Sequence, residues 1–182
     1  MPENENMELA TLGGGCFWCV EAIYQDLRGV HSVLPGYSGG TAETANYKAV
    51  CSGMTDHVEV IQIKFDPLVI SFAEILEIFW STHNPTTPNR QGNDVGPQYR
   101  SAIFYHSEAQ RAIADASIKD VAPGFWSDKI VTEVTPFEAF YEAEDYHQNY
   151  YKSVGNRNPY CTVIITPKVE KFRKAYKEML KN

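Results

Sequence analysis

Residues 7–27 read MELATLGGGCFWCVEAIYQDL, and the order of their parts sets the fold class. The run at 7–12 predicts a strand, and the three glycines at 13–15 let the backbone turn sharply behind it. Phe17, Val20, Tyr24 and Leu27 then recur at helical spacing and predict the inner stripe of a helix. A strand, a turn and a helix make the opening unit of an α/β chain. The same unit places Cys16 and Cys19 at the start of the helix, with Phe17 and Trp18 between them.

The alternation continues downstream. HVEVIQIKF at 57–65 is the clearest strand. Ser71 and Glu74 have capping-box spacing and open a helix carrying Ile75, Leu76, Phe79 and Trp80. A strand at 101–105 follows, and Ser107 with Gln110 repeats the capping signal for a helix to about Val121. A strand at 130–135, an aromatic and acidic helix at 137–151, a short extended segment at 162–166 and a helix from Pro167 complete the pattern. Residues 28–56 and 83–99 are rich in turn-formers and predict long loops, which in a compact domain are usually functional. The expected architecture is an α/β sandwich whose mixed sheet has about four or five strands, folded as one domain over 1–182.

Composition narrows the function. The 182 residues are 43% hydrophobic and 21% charged, as in an ordinary globular protein. A formal net charge of −7 argues against nucleic acid, whose phosphates need a basic footprint. No run approaches the length of a membrane span. Four cysteines behind an acidic start, MPENENMEL, with no apolar leader stretch, point to a reducing, cytoplasmic setting. There a CxxC is redox or metal chemistry rather than a staple.

A thiol at a helix start faces unpaired N–H groups and the positive end of the helix dipole, which favour thiolate. Cys16 is therefore expected to be nucleophilic, against the plainer reading of a buried cysteine packed as a small apolar residue. On the strand at 57–65, Glu59 shares a face with Ile61, Ile63 and Phe65, while Val58 and Val60 lie opposite. A carboxyl desolvated there would stay protonated and could act as a general acid. The strand pattern alone does not choose between that and a glutamate turned out to solvent.

GCFWC at 15–19, GYSGG at 36–40, NYKAVCSG at 46–53, HVEV at 57–60, QGNDVGPQYRSAIF at 91–104 and YEAEDYHQNYY at 141–151 together resemble the peptide methionine sulfoxide reductase A family over residues 9–166. CxxC alone would be a weak sign; separated motifs in one order are a specific one. The resemblance implies an α/β (α+β) ferredoxin-like plait, a two-layer sandwich with a mixed sheet and long functional loops. It implies reduction of methionine-S-sulfoxide, free or in proteins, with no metal or organic cofactor. Cys16 matches the nucleophile, Glu59 the acid catalyst, and Tyr47 and Tyr99 the tyrosines that bond the sulfoxide oxygen. Asp94 matches a residue near the substrate backbone; Phe17 and Trp18 match the wall that takes the substrate's methyl group. A second thiol would close a disulfide on Cys16, to be reopened by thioredoxin or a similar dithiol.

Two thiols compete for that step. Cys161, in NRNPYC, matches the family's resolving position and ranks first. Cys19 stands where many members carry glycine, and at i+3 its Cβ lies about 5–6 Å from that of Cys16. Cys51 reads as an unreactive cysteine flanking the strand. Cys16, Cys19, Cys51 and His57 could be drawn as a zinc set, but the last two make a poor ligand pair. His147 and Tyr146 read as part of a helix covering the active-site loop, and the lysine-rich tail as a solvated face. The competing functions are a thioredoxin-like thiol–disulfide oxidoreductase, disfavoured by the bulky Phe-Trp between the cysteines, and a non-catalytic aromatic cage.

Overall fold

In the computed structural model, which describes residues 6–181, the N-terminal unit lies at the middle of the sheet. Glu8–Gly14 forms β1 and Phe17–Tyr24 forms α1. The chain continues through β2 (Val30–Ser38), α2 (Tyr47–Cys51), β3 (Val58–Phe65), α3 (Phe72–Thr82) and a small hairpin, β4 (Arg90–Gln91) with β5 (Asp94–Val95). Next come β6 (Ser101–Tyr105), α4 (Glu108–Asp120), β7 (Glu133–Pro136), β8 (Tyr141–Glu142), α5 (Tyr150–Val154) and α6 (Thr166–Ala175). The acidic stretch at 1–5 lies outside the described residues. Among those described, no helix is long and apolar enough to cross a membrane.

The main sheet has six strands, in the order β7-β6-β1-β3-β2-β8. β1 runs antiparallel to β3, with Leu12 opposite Ile61, and to β6, with Thr11 opposite Phe104. Among the described residues only β6 with β7 pairs in parallel, so the sheet is mixed. The main core holds Ile61, Ile63 and Phe65 of β3 against Phe17, Ile23 and Tyr24 of α1 and Ile75, Leu76, Phe79 and Trp80 of α3. A smaller cluster of Val58, Val60, Ala102 and Phe104 covers the other face under Phe137 and Phe140. Both faces of β3 are thus apolar where Glu59 sits.

The capping box of α3 forms in full, Ser71 with Glu74. That of α4 forms by half: Ser107 accepts from Gln110 N, but the Gln110 side chain turns to His106 N. Trp80 Nε1 donates to Ser117 Oγ over 2.7 Å and ties α3 to α4.

Four expectations need correction. Residues 28–56 are not one loop, because β2 occupies much of that run. Pro35, lacking an N–H, is tolerated because β8 pairs only with Gly36 and Tyr37. Gly36 is required there, since a Cβ would lie 2.4 Å from the Phe140 ring. Residues 137–151 are not a helix: after β8 they form a 3₁₀ turn, Asp145–His147, and reach α5 through Asn149 at a left-handed φ of 56°. The strand expected at 130–135 begins later, at Glu133. The β-branched run at 162–166 is helical, a π-helical turn at Cys161–Ile165 leading into α6 with Cys161 and Ile165 buried. Packing overrides strand propensity there.

Candidate active site

Cys16 is the N-cap of α1, with φ −58° and ψ 123°, and is 9% exposed. Gly15 makes the turn possible at φ 92°, and a Cβ on it would strike Gln91 Cγ at 2.5 Å. Gln91 is held over that turn by two bonds to the Asn84 backbone. Cys16, Phe17 and Trp18 therefore open onto one pocket of about 200 Å³. Tyr47, the first residue of α2, and Tyr99, at the end of a 3₁₀ turn, line it from other elements, with Glu59 of β3 and Asp94 of β5. Every candidate except Cys19 and Cys161 lines this pocket.

Glu59 is 2% exposed and takes the Phe17 N–H at 3.3 Å. Burial pushes its pKa up to about 8, against that bond and with help from Asp94 and Cys19. The strand's two readings are thereby separated: the carboxyl is inside and protonated at neutral pH. Tyr47 and Tyr99 are held neutral, chiefly by burial, and so are hydrogen-bond donors.

The expected helix-start activation of Cys16 is outweighed. The Trp18 N–H favours thiolate, but burial, Cys19 and Glu59 raise the Cys16 pKa well above its ordinary value. Cys19 moves the other way, lowered by its hydrogen bond with Cys16 and then by Lys168 and Tyr160. Of the two sulfurs, Cys19 is the one whose charged form its surroundings favour. Cys161 is fully buried, which raises its pKa, and charge on Cys19 raises it further. All four cysteines are free thiols.

A profile described as peptide methionine sulfoxide reductase matches residues 8–180. The chain belongs to that family. Among its relatives, the peptide methionine sulfoxide reductase MsrA of Saccharolobus solfataricus is 56% identical over 175 residues, covering 96% of this chain and 98% of that one. The reduced form of Mxr1 from Saccharomyces cerevisiae superposes with a TM-score of 0.77 at 37% identity, over 86% of this chain and 88% of the other. Mxr1 in complex with Trx2 gives 0.56 at 28% identity, over 81% and 87%.

Around this reductase-family pocket stand residues that sequence reasoning passed over. Tyr160 lines the pocket, donates to Asp94 Oδ2 at 2.7 Å and lies 3.9 Å from Cys19 Sγ. Trp18 stacks on Tyr150 at 3.9 Å and 9°, and its Nε1 donates to His147 Nδ1 at 3.0 Å. The His147 proton is then on Nε2, which stands 3.9 Å from Glu144 Oε2 and has no hydrogen-bond partner among the described residues. Glu144 accepts from Tyr37 Oη and Tyr47 N. Glu21, 2% exposed, accepts the N–H groups of Asn149 and Tyr150, and burial raises its pKa to about 7. The aromatic and acidic content of 137–151 was the available signal; read as a helix, it hid the wall these residues build.

His57 is spent elsewhere, accepting from Gly40 N at Nδ1 and lying 2.8 Å from Thr41 O at Nε2. Among the described residues no three His, Cys, Asp or Glu side chains converge to hold a metal ion. Cys51 is exposed at the end of α2 and bonds Tyr47, so it touches the site's edge rather than flanking the strand alone.

Proposed function

We propose that the chain reduces methionine-S-sulfoxide, free or in proteins, to methionine, with Cys16 as nucleophile and a disulfide that thioredoxin or a similar dithiol reopens. The observation that carries this reading is a protonated carboxyl, two neutral phenols and a thiol around one small pocket with an aromatic wall. A sulfoxide has a partly negative oxygen on an electrophilic sulfur. Glu59, Tyr47 and Tyr99 hydrogen-bond the oxygen, as an oxyanion site does, and make the sulfur easier to attack. Phe17 and Trp18 hold the methyl group, and Asp94 lies near the substrate backbone.

The Cys19 thiolate takes the proton of Cys16, and the Cys16 thiolate attacks. Glu59 gives its proton to the oxygen, which stays on Cys16 as sulfenic acid while methionine leaves. The Cys19 proton passes to Glu59; Cys19 attacks Cys16 Sγ, and the hydroxyl departs as water with that proton. Cys161 then takes over the bond by exchange. The resemblance ranks Cys161 first; the mutual hydrogen bond of Cys16 and Cys19 favours Cys19 for the first bond and Cys161 for the second.

Three further readings accompany this one. The segment β1-α1-β2-β3-α3-β6 forms a ferredoxin-like plait, supported by the strand order β6-β1-β3-β2 with helical crossovers. Residues 1–182 work as a single domain, and four free thiols suit the cytoplasm. Reduced protein given one equivalent of a methionine-S-sulfoxide peptide, without reductant, should release one equivalent of methionine and lose two thiols. Release of none, with insulin disulfides reduced instead, would make the chain a thioredoxin-like oxidoreductase.

A further inference from the structure

A second cavity, of about 460 Å³, meets the substrate pocket only at Cys16, Asp94 and Tyr160. The Tyr160–Asp94 hydrogen bond is the partition between the two. Cys19 opens onto this second cavity and not onto the first, so here alone both sulfurs of the pair share one space. Val163, 66% exposed, and Asn93, also exposed, both line it. Lys168, half-buried, lines the wall, and its charge acts on Cys19 and on His83. With Cys19 held in a disulfide, that ammonium loses its sulfur partner and suits a ligand that is both anionic and sulfur-reactive.

We propose that this cavity is the port through which an anionic low-molecular-weight dithiol, of the dihydrolipoate kind, recharges the enzyme, with Lys168 holding its carboxylate. The proposal rests on the Cys16–Cys19 disulfide of the preceding reading, met before Cys161 exchanges into it. Both sulfurs are nearly buried, Cys16 at 9% and Cys19 at 3% exposed, and a small dithiol fits the volume beside them. One thiolate of the dithiol attacks Cys16 Sγ. The bond between the cysteines breaks, and its electron pair leaves on Cys19, the sulfur whose charge Lys168 favours. The dithiol's second thiolate then attacks its own mixed disulfide, closing a cyclic disulfide and releasing Cys16. Two electrons and two protons pass from the dithiol to the enzyme. Substrate and reductant thus use different doors to one sulfur pair.

The test uses the full chain where turnover is proportional to dithiol concentration, with dihydrolipoate and uncharged dithiothreitol as probes. The methionine burst of prereduced enzyme reports the substrate half separately, so absence of a wild-type burst would reject the reductase reading and not the port. Val163→Trp, and Asn93→Trp should the first fail to fold, should depress turnover with both dithiols about ten-fold more than the burst, because exchange depends on access. Lys168→Met should cut the preference for dihydrolipoate over dithiothreitol by up to about five-fold, the worth of a partly exposed ion pair. Plugged variants that turn over as fast as they burst, or an unchanged preference in Lys168→Met, would overturn the proposal. So would a Lys168→Met effect confined to sulfoxide peptides with an acidic neighbour, which would make the cavity a substrate subsite.

Discussion

Glu59→Gln keeps the side chain's shape and its bond from Phe17 N–H while removing the titrating proton. In the folded chain that proton is held up to about pH 8, against an ordinary value of 4.5. Between those limits the native state keeps a proton that the unfolded chain has released, so wild-type stability falls as pH rises through the window. At about 1.36 kcal/mol for each pH unit of the gap, the full cost approaches ~5 kcal/mol once both states are ionised. Most of the lower part is already spent by pH 6, leaving ~2–3 kcal/mol to be lost between pH 6 and pH 9. The side chain is 2% exposed, so solvent screening takes little from this figure. Urea melts of wild type and Glu59→Gln at both pH values give the double difference: the variant should gain ~2–3 kcal/mol on wild type over that interval. The same substitution should slow methionine release roughly 10²–10⁴-fold, the usual worth of a general acid. A stability difference that does not change with pH would mean that Glu59 is already ionised, and the acid role would fall with it.

Cys16→Ser should release no methionine, whereas Cys51→Ser should stay within a few-fold of wild type; comparable loss in both would reject Cys16 as the sole nucleophile. Cys161→Ser, after one equivalent of sulfoxide, should still form a disulfide that mass spectrometry maps to the Cys16–Cys19 peptide, with thioredoxin-driven turnover slowed. A dimedone adduct on Cys16 in that variant would reverse the order of the two resolving thiols. Glu21→Ala strips two backbone donors of their acceptor, at ~1–3 kcal/mol each, and loosens the turn that lays Tyr150 on Trp18. A raised KM for sulfoxide and a red-shifted Trp emission are expected; unchanged values of both would show that Glu21 does not position the wall.

What could be read from the sequence followed local rules. The alternation of HVEVIQIKF has the periodicity of a strand apolar on both faces, and that pattern put Glu59 on an apolar face without choosing between core and solvent. The Ser71–Glu74 cap is a contact over three residues and needs no tertiary knowledge. β2 escaped because Pro35 and Gly36 punctuate it, and only β8 and Phe140, more than 100 positions on, explain why they are tolerated. The pull of the helix start on Cys16 is written locally, whereas the desolvation that opposes it is assembled from the whole fold. Tyr160, Glu21 and Glu144 belong to the site through partners 66 to 128 residues away, and no spacing rule reaches that far.

The π-helical turn at Cys161–Ile165 gives the chain slack where a helix would ordinarily have none. It holds surplus backbone inside a hydrogen-bonded turn, just ahead of a segment anchored in the core by Val169 and Phe172. A bulge of this kind can migrate by exchanging neighbouring hydrogen bonds one at a time, and such turns recur at functional sites. Cys161 therefore sits, fully buried, on backbone whose hydrogen bonds can re-register while Val169 and Phe172 hold the rest of the helix in place.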